Sequence, residues 1–241
     1  MEVPKIMDKV CYFKEENVTF LVKDNRVFVG DKELSLIGYG VDGLVYRYEK
    51  YAVKFYHNGL TFKRHLDRES IEKLILFQFK HFIMPKYLLE NSEYNPGYVM
   101  EYIDLDQEKD ILLVEKEMLL KELKDFEEEL NYSEENGFLI TDFNSKNYFY
   151  NGTFYQFDSD GGRFVKKSEG HLSQLYHAFG FIKGVLLDQQ KNHLTDQEKK
   201  SLFRKCMYQY KKGEYSTLSQ YLENEMVGEN LQEYYKVLSK K

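Results

Sequence analysis

Tryptophan is absent from this sequence, and cysteine and proline are scarce. The two cysteines, Cys11 and Cys206, lie far apart without a metal-like spacing, which argues against a disulfide scaffold or a cysteine-based zinc module. The six histidines form no H-x-x-x-H pair and no cluster with cysteine, so a structural zinc site is not expected. The three prolines and the lack of a Ser/Gly-rich tract leave no visible interdomain linker, so any two lobes should share a short connection.

Long apolar runs and an excess of positive charge are also missing. No segment approaches the ~18 apolar residues that a transmembrane helix needs. The first residues carry charges throughout, unlike a secretory signal, so we expect a cytoplasmic protein. The formal net charge of −6 argues against general binding to nucleic acid or an anionic membrane, because both require clustered Lys and Arg. We therefore expect neither as a partner.

The first half of the chain shows the two-residue alternation of β-strands. Strands are predicted at 18–22, 26–29, 44–48 and 51–56, and later at 87–90 and 98–103, with Asp24-Asn25 as a turn-forming pair. Between them, the period changes to about 3.6 over 66–78, which predicts an amphipathic helix with Asp67 at its start. The sequence thus predicts a β-rich N-lobe over 1–101 that contains one helix.

The second half follows mainly the helical period. A helix is predicted over 110–131, and helices are predicted from about 170 to the end. A hairpin is expected between them at 147–157, with Asn151-Gly152 as its turn. The predicted fold class is α+β, with two lobes, the second being a mainly helical, shortened C-lobe over 102–241.

A glycine motif, G-x-G-x-x-G-x-V, lies in the predicted N-lobe at Gly38, Gly40, Gly43 and Val45. A dinucleotide-binding loop would open into a helix, whereas this one opens into the alternating run 44–48. The motif therefore predicts a strand–turn–strand flap of the kind that covers ATP phosphates in protein kinases. Glycine suits such a flap, because side chains would keep the backbone amides away from phosphate oxygens.

With the strand Tyr51-Ala52-Val53-Lys54 that follows, the sequence resembles the eukaryotic-type protein kinase superfamily, as a small, divergent, bacterial-type member. The resemblance implies that Lys54 clamps the nucleotide phosphates and pairs with a carboxylate on the next helix. Glu72 is the preferred partner and Glu69 is the alternative. The strand at 98–103 resembles the one that leads into the kinase hinge. Met100 would then be the gatekeeper, and the main chain of Glu101 and Ile103 would meet adenine.

The segment from Asp142 to Asn147 matches the catalytic-loop pattern D-x-x-x-x-N. The resemblance implies that Asp142 is the base for the acceptor hydroxyl and that Asn147 is a magnesium ligand. Asp158 ends the predicted hairpin, where the family has its second magnesium ligand. Asp160 is an accessory ligand candidate or a loop acid before two glycines.

The sequence departs from the protein kinase pattern in this region. Ile140, Thr141 and Asn144 stand where the family commonly has His, Arg and Lys, and the D-x-N start is similar to aminoglycoside and choline kinase relatives. Asp160 replaces the glycine of the family's D-F-G, and no Ala-Pro-Glu motif follows. Without the Arg, switching by loop phosphorylation is not expected.

These patterns predict an ATP- and Mg²⁺-dependent phosphotransferase that binds ATP between two lobes. The acceptor is a protein or a small-molecule hydroxyl, and nucleotidyl transfer is a less favoured chemistry. The alternative is a nucleotide-binding pseudokinase or scaffold that acts through protein contacts, because the acceptor-binding part is short and divergent.

Overall fold

A computed structural model describes residues 6, 8–40, 42–57, 67–91, 97–143, 145–157, 162–165, 172–187 and 195–238. The chain divides into two compact units. The β-rich unit comprises Met1–Gln78 and Ile83–Asp104, and the helical unit comprises Phe79–Phe82 and Leu105–Lys241. The division places a short internal segment, Phe79–Phe82, with the second unit, whereas the sequence suggested one boundary at 101/102.

The β-rich unit begins with four antiparallel strands that pair in chain order. They are β1 (Lys9–Phe13), β2 (Val18–Lys23), β3 (Arg26–Val29) and β4 (Lys32–Glu33). The turn between β2 and β3 has positive φ at both Asp24 and Asn25, 50° and 61°, which confirms the predicted turn pair. Strand β1 was not predicted, because its alternation is hidden by Lys9, a charged residue whose side chain is buried.

Five more strands form a second antiparallel sheet in the same unit. They are β5 (Ser35–Tyr39), β6 (Gly43–Tyr48), β7 (Tyr51–Tyr56), β8 (Tyr87–Leu88) and β9 (Gly97–Glu101), in the spatial order β5-β6-β7-β9-β8. All six residues of β7 are buried, as expected for the central strand. Both sheets contribute to one apolar core, which includes Phe13, Phe20, Leu44, Val53, Phe55 and Val99.

Helix α1 (Arg68–Leu74) follows β7 in the chain. The Asp67 side chain accepts a hydrogen bond from the Ser70 amide at 2.7 Å, which confirms the predicted cap. Ile71 and Leu74 are buried, so this face holds the helix on its unit. The helix ends at Leu74, earlier than the sequence period suggested.

The helical unit contains five helices in its described part, with a π-helical continuation of the second of them at Phe181–Leu186. They are α2 (Lys116–Glu135), α3 (Leu172–Gly180), α4 (Asp196–Lys211), α5 (Leu218–Glu225) and α6 (Leu231–Leu238). Two antiparallel strand pairs join them: β10 (Phe138–Leu139) with β13 (Arg163–Phe164), and β11 (Tyr148–Tyr150) with β12 (Phe154–Gln156). The predicted order, a β-rich region followed by helices with a hairpin between them, is confirmed.

Four glutamates of α2 hold other parts of the helical unit by accepting hydrogen bonds from main-chain amides. Burial raises the pKa of Glu127 and that of Glu129, the effect expected for carboxylates taken out of water. The bonds join Glu122 to Phe154 at 3.1 Å, Glu127 to Ser219 at 2.8 Å, Glu129 to Lys80 and His81 at 2.7 and 3.0 Å, and Glu134 to Leu172 and Ser173 at 3.1 and 3.0 Å.

Segment Phe79–Phe82 takes part in this packing. The Phe82 ring lies 4.5 Å from that of Phe126 on α2, and His81 Nδ1 lies 2.7 Å from the Phe154 carbonyl oxygen. Phe82 also forms a parallel bridge with Gln156. No helix in the described ranges combines the length and apolarity needed to cross a bilayer.

Candidate functional site

The glycine motif forms the tip of the β5–β6 hairpin. The Gly40 amide donates to the Gly43 carbonyl at 3.0 Å, which closes the turn, and the chain then continues as β6 rather than as a helix. The predicted strand–turn–strand arrangement is therefore confirmed, although Val41 at the tip lies outside the described residues.

The three glycines of the motif have different surroundings. A Cβ atom at Gly43 would lie 2.3 Å from the Phe55 carbonyl oxygen, so β6 can approach β7 this closely only with glycine there. A Cβ atom at Gly38 would make an ordinary contact with Val45, and one at Gly40 would meet nothing within 4 Å. Gly43 is thus needed for the close packing of β6 on β7, whereas Gly40 has open space beside it at the exposed tip.

Lys54 lies in β7, opposite Val45 of β6 and Tyr98 of β9. Its side chain is buried, and the ammonium nitrogen lies 5.9 Å from the ring centroids of both Tyr56 and Tyr98. Aromatic faces attract a cation at this distance. The lysine therefore lies on the third strand of its sheet, after the glycine hairpin and before α1, as the family resemblance implies for the phosphate-binding lysine.

The structure does not bring Glu72 and Lys54 together. The Glu72 carboxylate pairs with Arg68 Nε at 3.0 Å, and Glu69 pairs with Lys73 Nζ at 2.7 Å, both within α1. The physical reason is the register of the helix, because Ile71 and Leu74 occupy its buried face and leave both glutamates on the exposed face.

The predicted hinge residues lie at and after the end of β9. Met100, half-buried, is opposite Ala52, and Glu101 is opposite Tyr51. The Tyr102 amide donates to the Lys50 carbonyl at 3.2 Å. Because adjacent residues of a strand direct their main-chain groups to opposite sides, the Glu101 carbonyl points away from β7. Ile103 follows Tyr102 in a half-buried stretch without regular secondary structure.

The candidate catalytic loop is closed by a bond from the side chain of Asn147 to the main chain of Asp142. Asn147 Nδ2 donates to the Asp142 carbonyl oxygen at 3.2 Å, so the amide group of Asn147 turns its oxygen, Oδ1, away from that bond. The Asp142 side chain is exposed. Carboxylate and amide oxygens are ligands that Mg²⁺ accepts in proteins. The loop therefore presents one carboxylate and one amide oxygen from residues five positions apart.

The strand pair after Asn147 returns the chain to this loop. The Phe157 amide donates to the Asn147 carbonyl at 2.8 Å, so the residue before Asp158 lies beside the candidate metal ligand. Asp158 and Asp160 themselves lie outside the described residues, and their role stays a prediction. Within the described ranges, no group of three or more His, Cys, Asp and Glu side chains is arranged to hold a metal ion.

Three supports of the catalytic loop were missed by the sequence reasoning. Gln156, fully buried, donates from Nε2 to the Asp142 carbonyl oxygen at 3.0 Å, next to the bond from Asn147. Gly180 ends α3 against the loop, where a Cβ atom would lie 2.3 Å from the Phe143 carbonyl oxygen. A glutamine in a strand and a glycine in a helix carry no local signal for such a contact, because both contacts are long-range.

The third support is His177, a buried residue of α3. Its Nδ1 lies 3.0 Å from the hydroxyl of Tyr148, the residue after Asn147, and the ring packs against Phe126 and Phe143. Burial lowers the pKa of His177 to about 3, because the charged form would lose its hydration. The imidazole is therefore neutral at physiological pH and shares a hydrogen bond with the Tyr148 hydroxyl.

Comparisons with known proteins give a distant similarity to solved structures. No family model matches the chain, and no curated protein matches it. Among solved structures, the chain is similar to the Legionella pneumophila kinase Lpg2603 bound to IP6, with 14% sequence identity and a TM-score of 0.41. The match covers 99% of this chain and 97% of that chain.

Proposed function

We propose that this protein is an ATP- and Mg²⁺-dependent phosphotransferase with a kinase-like fold. It transfers the γ-phosphoryl group of ATP to a hydroxyl group of a protein or a small molecule. Such a reaction needs little covalent chemistry from the enzyme, because catalysis comes from positioning the reactants and neutralising charge.

The observation that carries this proposal is the closed loop from Asp142 to Asn147. Nδ2 of Asn147 donates to the Asp142 carbonyl oxygen at 3.2 Å, and Oδ1 of the same amide group therefore points away from that bond. An exposed carboxylate and a held amide oxygen are what the D-x-x-x-x-N pattern requires for an acceptor-orienting base and a metal ligand. Asp142 takes the first role and Asn147 the second.

The β-rich unit supports the nucleotide half of the proposal. A glycine hairpin, a buried lysine on the third strand and a helix follow one another along the chain, in the order that the family resemblance implies. In the proposal, amides of the glycine hairpin other than that of Gly40, which closes the turn, contact phosphate oxygens. Lys54 clamps the α- and β-phosphates. The outward-directed carbonyl of Glu101 and the amide of Ile103 bind adenine beside Met100.

The donor set fits magnesium rather than a softer metal. Asn147 offers an amide oxygen, and the proposed further ligands, Asp158 and Asp160, are carboxylates, which together make an all-oxygen set. When bound, Mg²⁺ neutralises charge on the transferring phosphates.

A nucleotide-binding pseudokinase or scaffold is a second candidate function, and one observation favours it. Glu72, the expected partner of Lys54, pairs with Arg68 on the surface of α1 instead. Protein kinases need the lysine–glutamate pair in place for turnover. A chain that keeps these side chains apart would bind nucleotide and act through protein contacts.

Incubation with γ-labelled ATP and Mg²⁺, alone and with cell lysate, tests the proposal. Transfer of label to protein or to a metabolite is the expected result, and it also identifies the class of acceptor. A thermal shift measured with ATP and Mg²⁺ tests binding separately, because a ligand selective for the folded state raises the melting temperature. A shift without any transfer would favour the scaffold.

Matched variants make the test specific to the site. Lys54→Met should abolish transfer, whereas Lys9→Met, which removes another buried lysine of the β-rich unit, should retain it. Asp142→Asn should reduce transfer by about 10²–10⁴-fold, as expected for loss of a catalytic base. Asp31→Asn, an exposed aspartate on a turn, is its control. Equal activity in Asp142→Asn and its control would contradict the proposed role.

A further inference from the structure

His57 follows β7 directly and contacts the tip of the glycine hairpin through two groups. Its main-chain amide donates to the Asp42 carbonyl oxygen at 3.0 Å, and its side-chain Nε2 lies 3.0 Å from the Gly40 carbonyl oxygen. The residue is 5% exposed. Two of the carbonyl oxygens in the hairpin tip are therefore held by one buried residue.

The side-chain bond has a defined direction. A carbonyl oxygen can only accept, so Nε2 of His57 carries the proton and donates to Gly40. The other ring nitrogen, Nδ1, is buried and has no hydrogen-bond partner within the described part of the chain. The bond to Gly40 is thus the polar contact that fixes the ring, and the ring in turn fixes the tip.

We propose that His57 is a positioning residue that shapes the glycine hairpin for the phosphates of a nucleotide. This inference rests on the proposed function. A peptide unit is planar and trans, so its C=O and N–H groups point in opposite directions. By keeping the oxygens of Gly40 and Asp42 on the buried side, His57 removes two partial negative charges from the side where an anionic ligand binds. The Gly43 amide belongs to the same peptide unit as the Asp42 carbonyl, so it points to the opposite side, where it attracts phosphate oxygens.

The glycines make this role necessary. A Cβ atom at Gly40 would meet nothing within 4 Å, so no packing of side chains restricts the tip there. Glycine populates more backbone conformations than any other residue, and an unheld tip would spread over them. His57 supplies a restraint from outside the motif, in addition to the bond from the Gly40 amide to the Gly43 carbonyl that closes the turn.

Two substitutions at His57 separate the side-chain bond from the volume of the ring. His57→Phe keeps a ring of similar size and removes the donor, while His57→Gln keeps an amide that can donate to Gly40. Two quantities are measured in the full chain: hydrogen exchange of the 35–48 segment without nucleotide, and the Kd of ATP with Mg²⁺. His81→Phe, the same change at a buried histidine of the helical unit, is the matched control.

We expect His57→Phe to speed exchange in the 35–48 segment but not in 9–29, and to raise the Kd of ATP about fivefold, the equivalent of one lost hydrogen bond. His57→Gln should restore both, and His81→Phe should change neither. Unchanged exchange in His57→Phe would overturn the anchoring role. Faster exchange with an unchanged Kd would overturn the role in nucleotide binding.

Different results would contradict the proposed function and the role of His57. If the wild-type chain binds no ATP at millimolar concentration, the proposed function is wrong, and the nucleotide role of His57 is overturned with it. The anchoring of the hairpin is still decided by the exchange measurement, because that measurement uses no nucleotide.

Discussion

The glycine hairpin of the β-rich unit and the candidate catalytic loop of the helical unit are held in contrasting ways. Gly40 at the hairpin tip is exposed, and its amide closes the turn by donating to the Gly43 carbonyl. One neighbouring residue, His57, holds the carbonyl oxygens of Gly40 and Asp42. The loop from Asp142 to Asn147 lies on a buried base, where Gln156 of β12 and His177 and Gly180 of α3 support it. The hairpin tip is thus held by its own turn and by one neighbouring residue, whereas the catalytic loop is supported by two packed elements.

This difference suggests a division of labour. In the proposed function, the hairpin covers a nucleotide and must open and close, and ligand-covering loops are drawn from the less stable parts of a fold. The proposed base and metal ligand must instead keep their geometry through turnover. Substitutions in the two loops should therefore have different effects on stability and on turnover.

The largest contrast is expected for the same substitution in the two loops. Gly180→Ala should lower the free energy of unfolding by about 3 kcal/mol, because its methyl group would overlap the Phe143 main chain. Gly40→Ala should change it by less than about 0.5 kcal/mol, because its methyl group meets nothing. Urea unfolding of both variants measures the difference, and effects of equal size would remove the contrast.

His177, which supports the catalytic loop, should also make the stability of the protein depend on pH. Burial lowers the pKa of His177 to about 3, whereas the unfolded chain takes up the same proton near pH 6.5. Since the unfolded state then binds more protons, stability is lost as the pH falls from about 6.5 toward 3. The loss due to His177 at pH 5 should be ~2 kcal/mol relative to pH 7.5.

Urea unfolding of the wild type and of His177→Phe at a series of pH values isolates this contribution. The variant loses the bond to Tyr148 at every pH, which shifts its stability by a constant amount. Its stability should therefore fall less steeply between pH 6.5 and pH 4. Parallel curves for the two proteins would show that His177 does not titrate as inferred.

A smaller effect is expected for Gln156, which donates to the same Asp142 carbonyl oxygen as Asn147 does. Gln156→Met should cost ~1 kcal/mol of stability, because Asn147 still satisfies the Asp142 carbonyl. Hydrogen exchange should become faster in 140–147 and stay unchanged in 35–48. In the labelled-ATP assay, kcat should fall while the KM for ATP is retained. A change confined to KM would contradict a role limited to the catalytic loop.

The smallest effect concerns the surface of α1. Glu72→Gln and Arg68→Gln break the same exposed ion pair, so each should lower the free energy of unfolding by less than about 0.5 kcal/mol. Urea unfolding of both variants is the measurement. If Glu72→Gln costs at least about 1 kcal/mol more than Arg68→Gln, Glu72 has a second partner and the separation from Lys54 must be revised.

The sequence predicted those elements of the fold that are determined by residues close together in the chain. The Asp24-Asn25 turn, the cap at Asp67 and the hairpin after Asn147 all depend on residues close together in the chain, and all three are present. The hairpin turn has three residues, 151–153, and not the two predicted at Asn151-Gly152, because Tyr150 pairs with Phe154. The opening of the glycine motif into a strand also follows from the alternation of 44–48. The proposed roles of Asp158 and Asp160 stay predictions.

The rest depends on contacts between distant residues. Nothing near Gln156 or Gly180 indicates that they meet the loop that begins at Asp142. Similarly, the glutamates of α2 have the pattern of a solvated helix face, although Glu127 and Glu134 are buried on main-chain amides. The preference for Glu72 as the partner of Lys54 assumed a helix register, and the short α1 turns that residue to the surface instead.

The chain passes from the β-rich unit to the helical unit at Phe79–Phe82, returns, and passes over again after Asp104. This segment is therefore synthesised before any residue of α2. Domains generally fold as units during synthesis, with the N-terminal one first. Here the nascent β-rich unit carries two phenylalanines and a histidine whose partners are made only with 105–156. The helical unit thus completes its packing with a segment made ahead of it, and a single cut in the gene leaves neither unit intact.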